Sequence, residues 1–183
     1  GGAHSFLDKS IFVDERPESV ELATAMGPGW GCIMSNFNPS GSPMAYLKSL
    51  GKVGITVELG GRSGTSPEGF ARIGRELANS ILNILRHYKM YPGTAEYPSP
   101  RYKGQQEALL APASGIFIPE PGVKFLTMMT KGTRIARVVS IFGDTLGELV
   151  APADGMFFGL RALPNVTTGD WCCFFCKVEG TRD

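Results

Sequence analysis

The sequence lacks the features that define several classes of protein. Its 183 residues contain no long apolar stretch, no signal-peptide pattern and no run of basic residues, and 18 basic against 17 acidic residues leave a net charge of +1. A membrane-spanning helix needs about 20 consecutive apolar residues, and a nucleic-acid surface needs clustered positive charge. We therefore expect a cytoplasmic protein that binds no membrane and no nucleic acid.

Residues that commonly bind metals or form disulfides are also scarce. The sequence has two histidines, His4 and His87, and four cysteines. Cys173 and Cys176 have the C-x-x-C spacing, but no second pair or histidine pair completes a zinc set. They lie in the apolar segment 171–176, which predicts a buried strand, so we assign the cysteines no chemistry.

The first part of the chain alternates predicted strands and helices. Residues 10–13 and 31–35 are apolar runs typical of buried strands, and 17–26 and 43–50 predict short helices. Ser66 followed by Pro67 predicts the start of a long helix. One apolar stripe is expected along that helix, formed by Phe70, Ile73, Leu77, Ala78, Ile81, Leu82, Ile84 and Leu85. This pattern predicts an α/β domain whose strands, including 53–59, are of the parallel type.

A Pro-rich stretch follows, and after it the chain has an internal repeat. Leu-Ala-Pro-Ala-Ser-Gly-Ile-Phe at 110–117 recurs as Val-Ala-Pro-Ala-Asp-Gly-Met-Phe at 150–157. The repeat resembles biotinyl and lipoyl domains, yet the predicted hairpin at 141–145 has no lysine to carry a cofactor. We predict an α/β region at 1–92, a linker at 93–106 and a small all-β, barrel-sandwich-like domain at 107–183.

One carboxylate has a distinctive position. Residues 53–61 read Val-Gly-Ile-Thr-Val-Glu-Leu-Gly-Gly, so the larger apolar residues alternate with small ones and with Glu58. Glycines follow at once and predict the end of the strand. An acid at such a strand end is a candidate general base or metal-site carboxylate, whereas the alternative is a solvated acid on an edge strand.

The Thr56-x-Glu58-x-Gly60 motif, the capped helix and the repeat, in that order, resemble the succinylglutamate desuccinylase/aspartoacylase family. These are zinc deacylases related to the metallocarboxypeptidases. The resemblance implies part of a zinc-carboxypeptidase-like α/β domain followed by a hammerhead-like β-domain. It also implies hydrolysis of the amide bond in a small N-acyl amino acid, with Glu58 as the general base.

The resemblance also shows which zinc ligands are missing. The family holds Zn²⁺ with a His-x-x-Glu pair and a later histidine, all before the Thr-x-Glu strand. Neither histidine here opens a His-x-x-Glu, and His4 alone stands on the correct side of the motif, as a candidate ligand. Arg62 is a candidate for pairing with a substrate carboxylate. We expect the other ligands upstream of residue 1, so this chain is the C-terminal part of a deacylase and inactive alone.

Two other functions are left open by the residues. One is a non-catalytic interaction module that retains the fold without the metal, and the other, ranked last, is peptide cleavage as in the related carboxypeptidases. The expected partners are a small acylated amino acid and a companion polypeptide that carries the N-terminal half. A homo-oligomer formed through a strand edge is also open. The acyl group and the amine do not follow from the sequence.

Overall fold

The computed structural model describes residues 5–7, 9–30, 32–35, 39–60 and 66–182. Its helices are α1 (Pro17–Thr24), α2 (Pro43–Ser49) and α3 (Pro67–His87). Its strands are β1 (Ser5–Leu7), β2 (Ser10–Val13), β3 (Cys32–Met34), β4 (Ile55–Glu58), β5 (Arg101–Leu110), β6 (Gly115–Pro119), β7 (Thr127–Met129), β8 (Arg134–Val139), β9 (Thr145–Val150), β10 (Gly155–Arg161), β11 (Asn165–Val166) and β12 (Trp171–Arg182). None of the helices in these ranges is long and apolar enough to cross a membrane.

The chain forms two compact units. The α/β unit comprises residues 9–105 and 179–183, and the β unit comprises residues 1–8 and 106–178. Strands β5 and β12 therefore contribute residues to both. The predicted linker at 93–106 has no regular structure up to residue 100, but its last six residues are strand, because β5 begins at Arg101. The domain division at 92 and 107 stays a prediction.

The α/β unit contains a mixed sheet with strand order β4-β2-β3-β5. Strand β2 is parallel to β3, and β3 is parallel to the first part of β5. Strand β4 instead runs antiparallel to β2, so the expectation of a parallel strand at 53–59 was wrong. The reason is that β4 returns to the free edge of β2 rather than continuing the parallel series beyond β3. The α/β class with a mixed sheet is what the structure shows.

Local signals in the sequence fix the helix ends. The Ser66 hydroxyl accepts a hydrogen bond from Gly69 N at 3.0 Å, and Pro67 occupies the first turn, as predicted for α3. Ser42 caps α2 in the same way, accepting from Ala45 N at 3.1 Å. The predicted helices at 17–26 and 43–50 each end slightly earlier, and the strand predicted at 10–13 has those bounds.

The core of this unit lies between the sheet and helices α1 and α3. Its buried members are Ile11, Val13, Ala23, Met26, Trp30 and Ile33, and Ile55, Val57, Leu59, Leu77 and Ile84 pack against them. The predicted stripe of α3 is therefore only partly correct. Phe70 and Ile81 are exposed, because the helix rests on the core through its flank containing Leu77, Ser80 and Ile84.

The β unit has a core shared by two sets of strands. Strands β11-β6-β8-β9 form one antiparallel sheet, and β1, β7 and β12 each pair antiparallel with β10. Buried residues from both sets form a single cluster that includes Phe117, Ile135, Leu149, Phe157 and Phe175. The apolar alternation of the strands produces this arrangement, since each sheet turns one face inward.

The internal repeat appears as two interlocked halves. Ala111 of the first copy exchanges backbone hydrogen bonds with the turn of the second, accepting from Gly169 N at 2.9 Å and donating to Asp170 O at 2.8 Å. Ala151 of the second copy does the same with the turn of the first, through Gly132 and Thr133, both at 2.8 Å. Both alanines are buried. Each repeat copy therefore forms hydrogen bonds with the turn of the other copy rather than with its own turn.

Candidate functional site

Glu58 is the last residue of β4 and lies half-buried at the point where the sheet ends. Ile55, Val57 and Leu59 pack on the core of the α/β unit, so Thr56 and Glu58 point to the opposite face of the sheet. Gly60 has φ 123°, a conformation that side-chain-bearing residues rarely adopt, and it turns the chain away directly after Glu58. The predicted strand end and face of Glu58 are confirmed.

The sheet places three further side chains in the same row as Glu58. Ser10 of β2 is its direct antiparallel partner. Extending the β2–β3 register by one residue from Ile11 and Ile33 sets Cys32 beside Ser10, and Cys32 pairs with Tyr102. Residues in register on neighbouring strands point to the same face. Ser10 and Cys32 are buried, and Tyr102 is half-buried. Sequence reasoning missed this row, because nothing local to any of these residues shows which strands pair.

An ion pair braces the opposite end of β4. The Asp14 carboxylate, at the end of β2, accepts from Arg16 Nε at 2.8 Å and Nη2 at 2.6 Å. Arg16 Nη2 also donates to Lys52 O at 2.7 Å, just before β4. Burial alone would raise the pKa of Asp14, but the hydrogen bonds from Arg16 and the Arg16 charge together lower it. The brace ties the two strands together and so supports the register that sets Glu58 opposite Ser10.

A second ion pair holds the start of β2 against α3. Lys9 Nζ lies 3.4 Å from Glu76 Oε2, and Arg72 Nη1 donates to Glu76 Oε1 at 2.5 Å. Desolvation would raise the pKa of Glu76, but the Arg72 hydrogen bond and the Lys9 charge lower it. Lys9 directly precedes Ser10, so this contact fixes the strand end on which Ser10 stands.

The other two site residues predicted from the sequence, His4 and Arg62, lie outside the described residues. Within the described part of the chain, no group of three or more His, Cys, Asp or Glu side chains is placed to hold a metal ion. The donors around Glu58 therefore do not fit a zinc site by themselves. A tetrahedral zinc site takes three or four nitrogen, sulfur or carboxylate ligands.

His87 and the cysteines have structural roles. His87 Nε2 lies 2.8 Å from Glu21 Oε1 and its Nδ1 lies 3.0 Å from the Tyr97 hydroxyl, so both ring nitrogens are used. These contacts join the end of α3 to α1 and to the segment before β5. Burial raises the pKa of Cys172 to about 11 and that of Cys173 further, which keeps both thiols protonated and unreactive.

The cavities described in the α/β unit do not include Glu58. One of about 540 Å³ is lined by residues such as Glu21, His87, Tyr97 and Arg101. A neighbouring one of about 270 Å³ is lined by Val20, Ile33 and Tyr102 among others. Both are bordered by α1.

No protein-family model and no curated protein matches the chain. Solved structures do. A succinylglutamate desuccinylase from Silicibacter sp. TM1040 is 19% identical with a TM-score of 0.74, and the match covers 98% of this chain and 56% of that one. A succinylglutamate desuccinylase/aspartoacylase from Rhodobacter sphaeroides is 20% identical with a TM-score of 0.73 and the same coverage.

The chain has the fold of the succinylglutamate desuccinylase/aspartoacylase family. The ectoine utilization protein EutE (DoeB) from Ruegeria pomeroyi is similar too, at 18% identity and a TM-score of 0.75 over 97% of this chain and 57% of that protein. The chain thus spans little more than half the length of these structures, consistent with the C-terminal portion of the deacylase fold. The resemblance to this family, predicted from Glu58, the capped helix and the repeat, is confirmed.

Proposed function

We propose that the chain is part of a deacylase that hydrolyses the amide bond of a small N-acyl amino acid or a related compound, with Glu58 as the general base. The observation that supports this most directly is the position of Glu58. It stands at the end of a strand in a deacylase-family fold, on the sheet face opposite the core that α1 and α3 cover, with a glycine turn behind it. Solved proteins of the same fold are named as desuccinylases and aspartoacylases.

The chemistry that this chain contributes is proton transfer. A carboxylate within hydrogen-bond reach of a water molecule removes its proton as the water attacks the acyl carbonyl. The same carboxyl group then delivers that proton to the departing amine. The half-buried position suits this role, because a fully solvated carboxylate is a weaker base. Arg62 is proposed to bind a substrate carboxylate through paired N–H donors.

The zinc ion is part of the proposal only through residues beyond the described ones. Since the donors around Glu58 do not fit a zinc site by themselves, His4 and ligands on additional chain would have to supply it. The solved structures are almost twice as long as their matched part, so there is room in the fold for such a segment. We propose that this chain acts together with a companion polypeptide, or an upstream segment, that carries the N-terminal half.

The test is amide hydrolysis by the complete protein, with its companion if there is one, in the presence of zinc. N-succinylglutamate and an N-acylated aspartate are the first substrates to try. Glu58→Gln should lower kcat by about 10²- to 10⁴-fold, the usual contribution of a general base. Glu179→Gln, which changes an exposed acid, is the matched control and should leave kcat unchanged.

Two results would contradict the proposal. Undiminished hydrolysis by Glu58→Gln would remove Glu58 as the base, and full activity of residues 1–183 alone with zinc would remove the need for further chain. A complete protein that binds no zinc and hydrolyses none of these amides would instead favour the non-catalytic interaction module.

A further inference from the structure

Helix α3 has an apolar face that the core of the α/β unit does not cover. Phe70, Gly74, Ala78, Ile81 and Leu85 follow one another at intervals of three or four residues, so they lie along one side of the helix. We call these five residues the outer face of α3. The side chains of Phe70 and Ile81 are 70% and 56% exposed. Apart from its chain neighbours and the helix backbone, a Cβ atom added at Gly74 would meet nothing within 4 Å among the described residues.

The charges at the two ends of this face have opposite sign. Glu68 stands two residues before Phe70 in the first turn of the helix, and Arg86 directly follows Leu85 in the last turn. These two charges are 18 residues apart in the sequence. At 3.6 residues per turn this separation is five full turns, so both charges lie on the same side of the helix, next to the outer face. The face is therefore apolar along its length, acidic at one end and basic at the other.

We propose that the outer face of α3 binds a second copy of this chain, with the two α3 helices packed antiparallel about a two-fold axis. Continuous apolar faces on a surface are typical of interaction sites, whereas scattered apolar residues are not. Antiparallel packing sets Glu68 of each copy beside Arg86 of the other, because the first turn of one helix meets the last turn of its partner. Parallel packing would instead place like charges together, which is unfavourable. The contact needs no enzymatic activity, so it goes beyond the proposed function.

The sizes of the side chains also suit this arrangement. The midpoint between the two end charges is Leu77, so Ile81 of one copy lies opposite the part of the other helix that contains Gly74. Gly74 has no side chain and leaves a groove, into which a branched side chain packs. Phe70 lies in the same way beside Leu85 of the partner. Since the axis is two-fold, each of these contacts occurs twice, and one face complements itself.

The first test is the mass of residues 1–183 in solution, measured by sedimentation at increasing concentration. The mass should rise from the 19.6 kDa of one chain towards twice that value. Ile81→Ser should raise the dissociation constant about tenfold or more, because the change removes two apolar contacts from the interface. Phe142→Ser is the matched control, since Phe142 is 87% exposed but belongs to the β unit. It should leave the dissociation constant unchanged.

The second test exchanges the end charges and identifies the orientation. Glu68→Arg and Arg86→Glu should each weaken association several-fold, since each variant alone sets two pairs of like charges together. An equal mixture of the two variants should associate as the wild type does, because both end contacts then pair opposite charges. Only an antiparallel contact predicts this recovery. The difference between the mixture and the single variants should shrink at high salt.

Three results would overturn the proposal. One is a wild-type chain that stays monomeric at every concentration, which would leave the outer face to a companion polypeptide. Another is association that Phe142→Ser abolishes and Ile81→Ser retains, because the contact would then involve the β unit. The third is a mixture of the charge variants that associates no better than either variant alone. Circular dichroism should show wild-type structure in every variant, since none of the substituted side chains is buried.

Discussion

Substituting Gly155 by alanine should test the packing of the β unit most sharply. Gly155 is the buried first residue of β10, opposite Lys177 of β12. A Cβ atom there would overlap the Cys176 carbonyl oxygen and lie 2.6 Å from Phe175 Cε1, whereas real Cβ contacts stay beyond 3.0 Å. Phe175 is fully buried and cannot rotate aside, so the strands themselves must separate.

The cost follows from two contributions. Overpacking of a filled core costs about 1–3 kcal/mol. Weakening one or two hydrogen bonds between β10 and β12 adds about 1 kcal/mol each. We therefore expect a loss of about 2–5 kcal/mol, a large part of the roughly 5–15 kcal/mol that stabilises a typical domain. With a urea m-value of about 2 kcal/mol/M, the unfolding midpoint should fall by about 1–2.5 M.

The assay is urea unfolding followed by circular dichroism, with two other glycines as references. Gly115→Ala, at the matching position of the first repeat copy, would also press on a backbone carbonyl, that of Val139. Its nearest side-chain contact, Val138 Cγ1, would lie at 3.0 Å rather than the 2.6 Å of Phe175, so its loss should be smaller. Gly180 is exposed and has open space around it, so Gly180→Ala should leave the midpoint unchanged or slightly higher. If Gly155→Ala unfolds at the same urea concentration as Gly180→Ala, the packing argument is wrong.

Three smaller predictions concern the α/β unit. Gly74→Ala should raise the melting temperature, because an exposed helix-interior glycine with open space around it costs about 1 kcal/mol relative to alanine. The pKa of Asp14 is lower in the folded protein than in the unfolded chain. Its contribution to the free energy of unfolding is therefore full above the unfolded-state pKa and is lost as the pH falls through the folded-state pKa. Asp14→Asn should remove this contribution and so flatten the acid end of a plot of the free energy of unfolding against pH. Asn83→Ala should lower the urea midpoint. The Asn83 amide nitrogen donates to Ala25 O at 2.9 Å and to Glu96 O, and its amide oxygen accepts from Glu96 N. A wild-type midpoint would contradict this.

The sequence was informative wherever a structural signal is local. The Ser66 cap, the Pro67 start and the alternation around Glu58 each act within a few residues, and the structure has those features where they were expected. Pairing between distant strands has no such signal. The antiparallel direction of β4, the pairing of β5 with β3 beginning inside a predicted linker, and the neighbourhood of Ser10 and Glu58 all depend on it.

The same limit applies to the candidate site. Alternation showed which face Glu58 occupies, because that depends only on the strand period. It could not show that Ser10, Cys32 and Tyr102 share the row, since this needs three registers at once. The stripe of α3 was only half correct for a related reason. An apolar helix face looks the same in sequence whether the fold covers it or leaves it exposed, as it does for Phe70 and Ile81.

The exchange of turn contacts between the two repeat copies has a consequence for how the β unit folds. Ala111 needs the turn at 169–170 and Ala151 needs the turn at 132–133, so neither copy can complete its own hydrogen bonds first. Contacts between residues far apart in sequence slow folding, because a long loop must close before they form. The unit should therefore appear in a single late step with no stable half-folded species. A chain cut within the turn at 140–144 should yield two pieces in which the β unit is unstructured, and this unit should recover its fold only when the pieces are mixed.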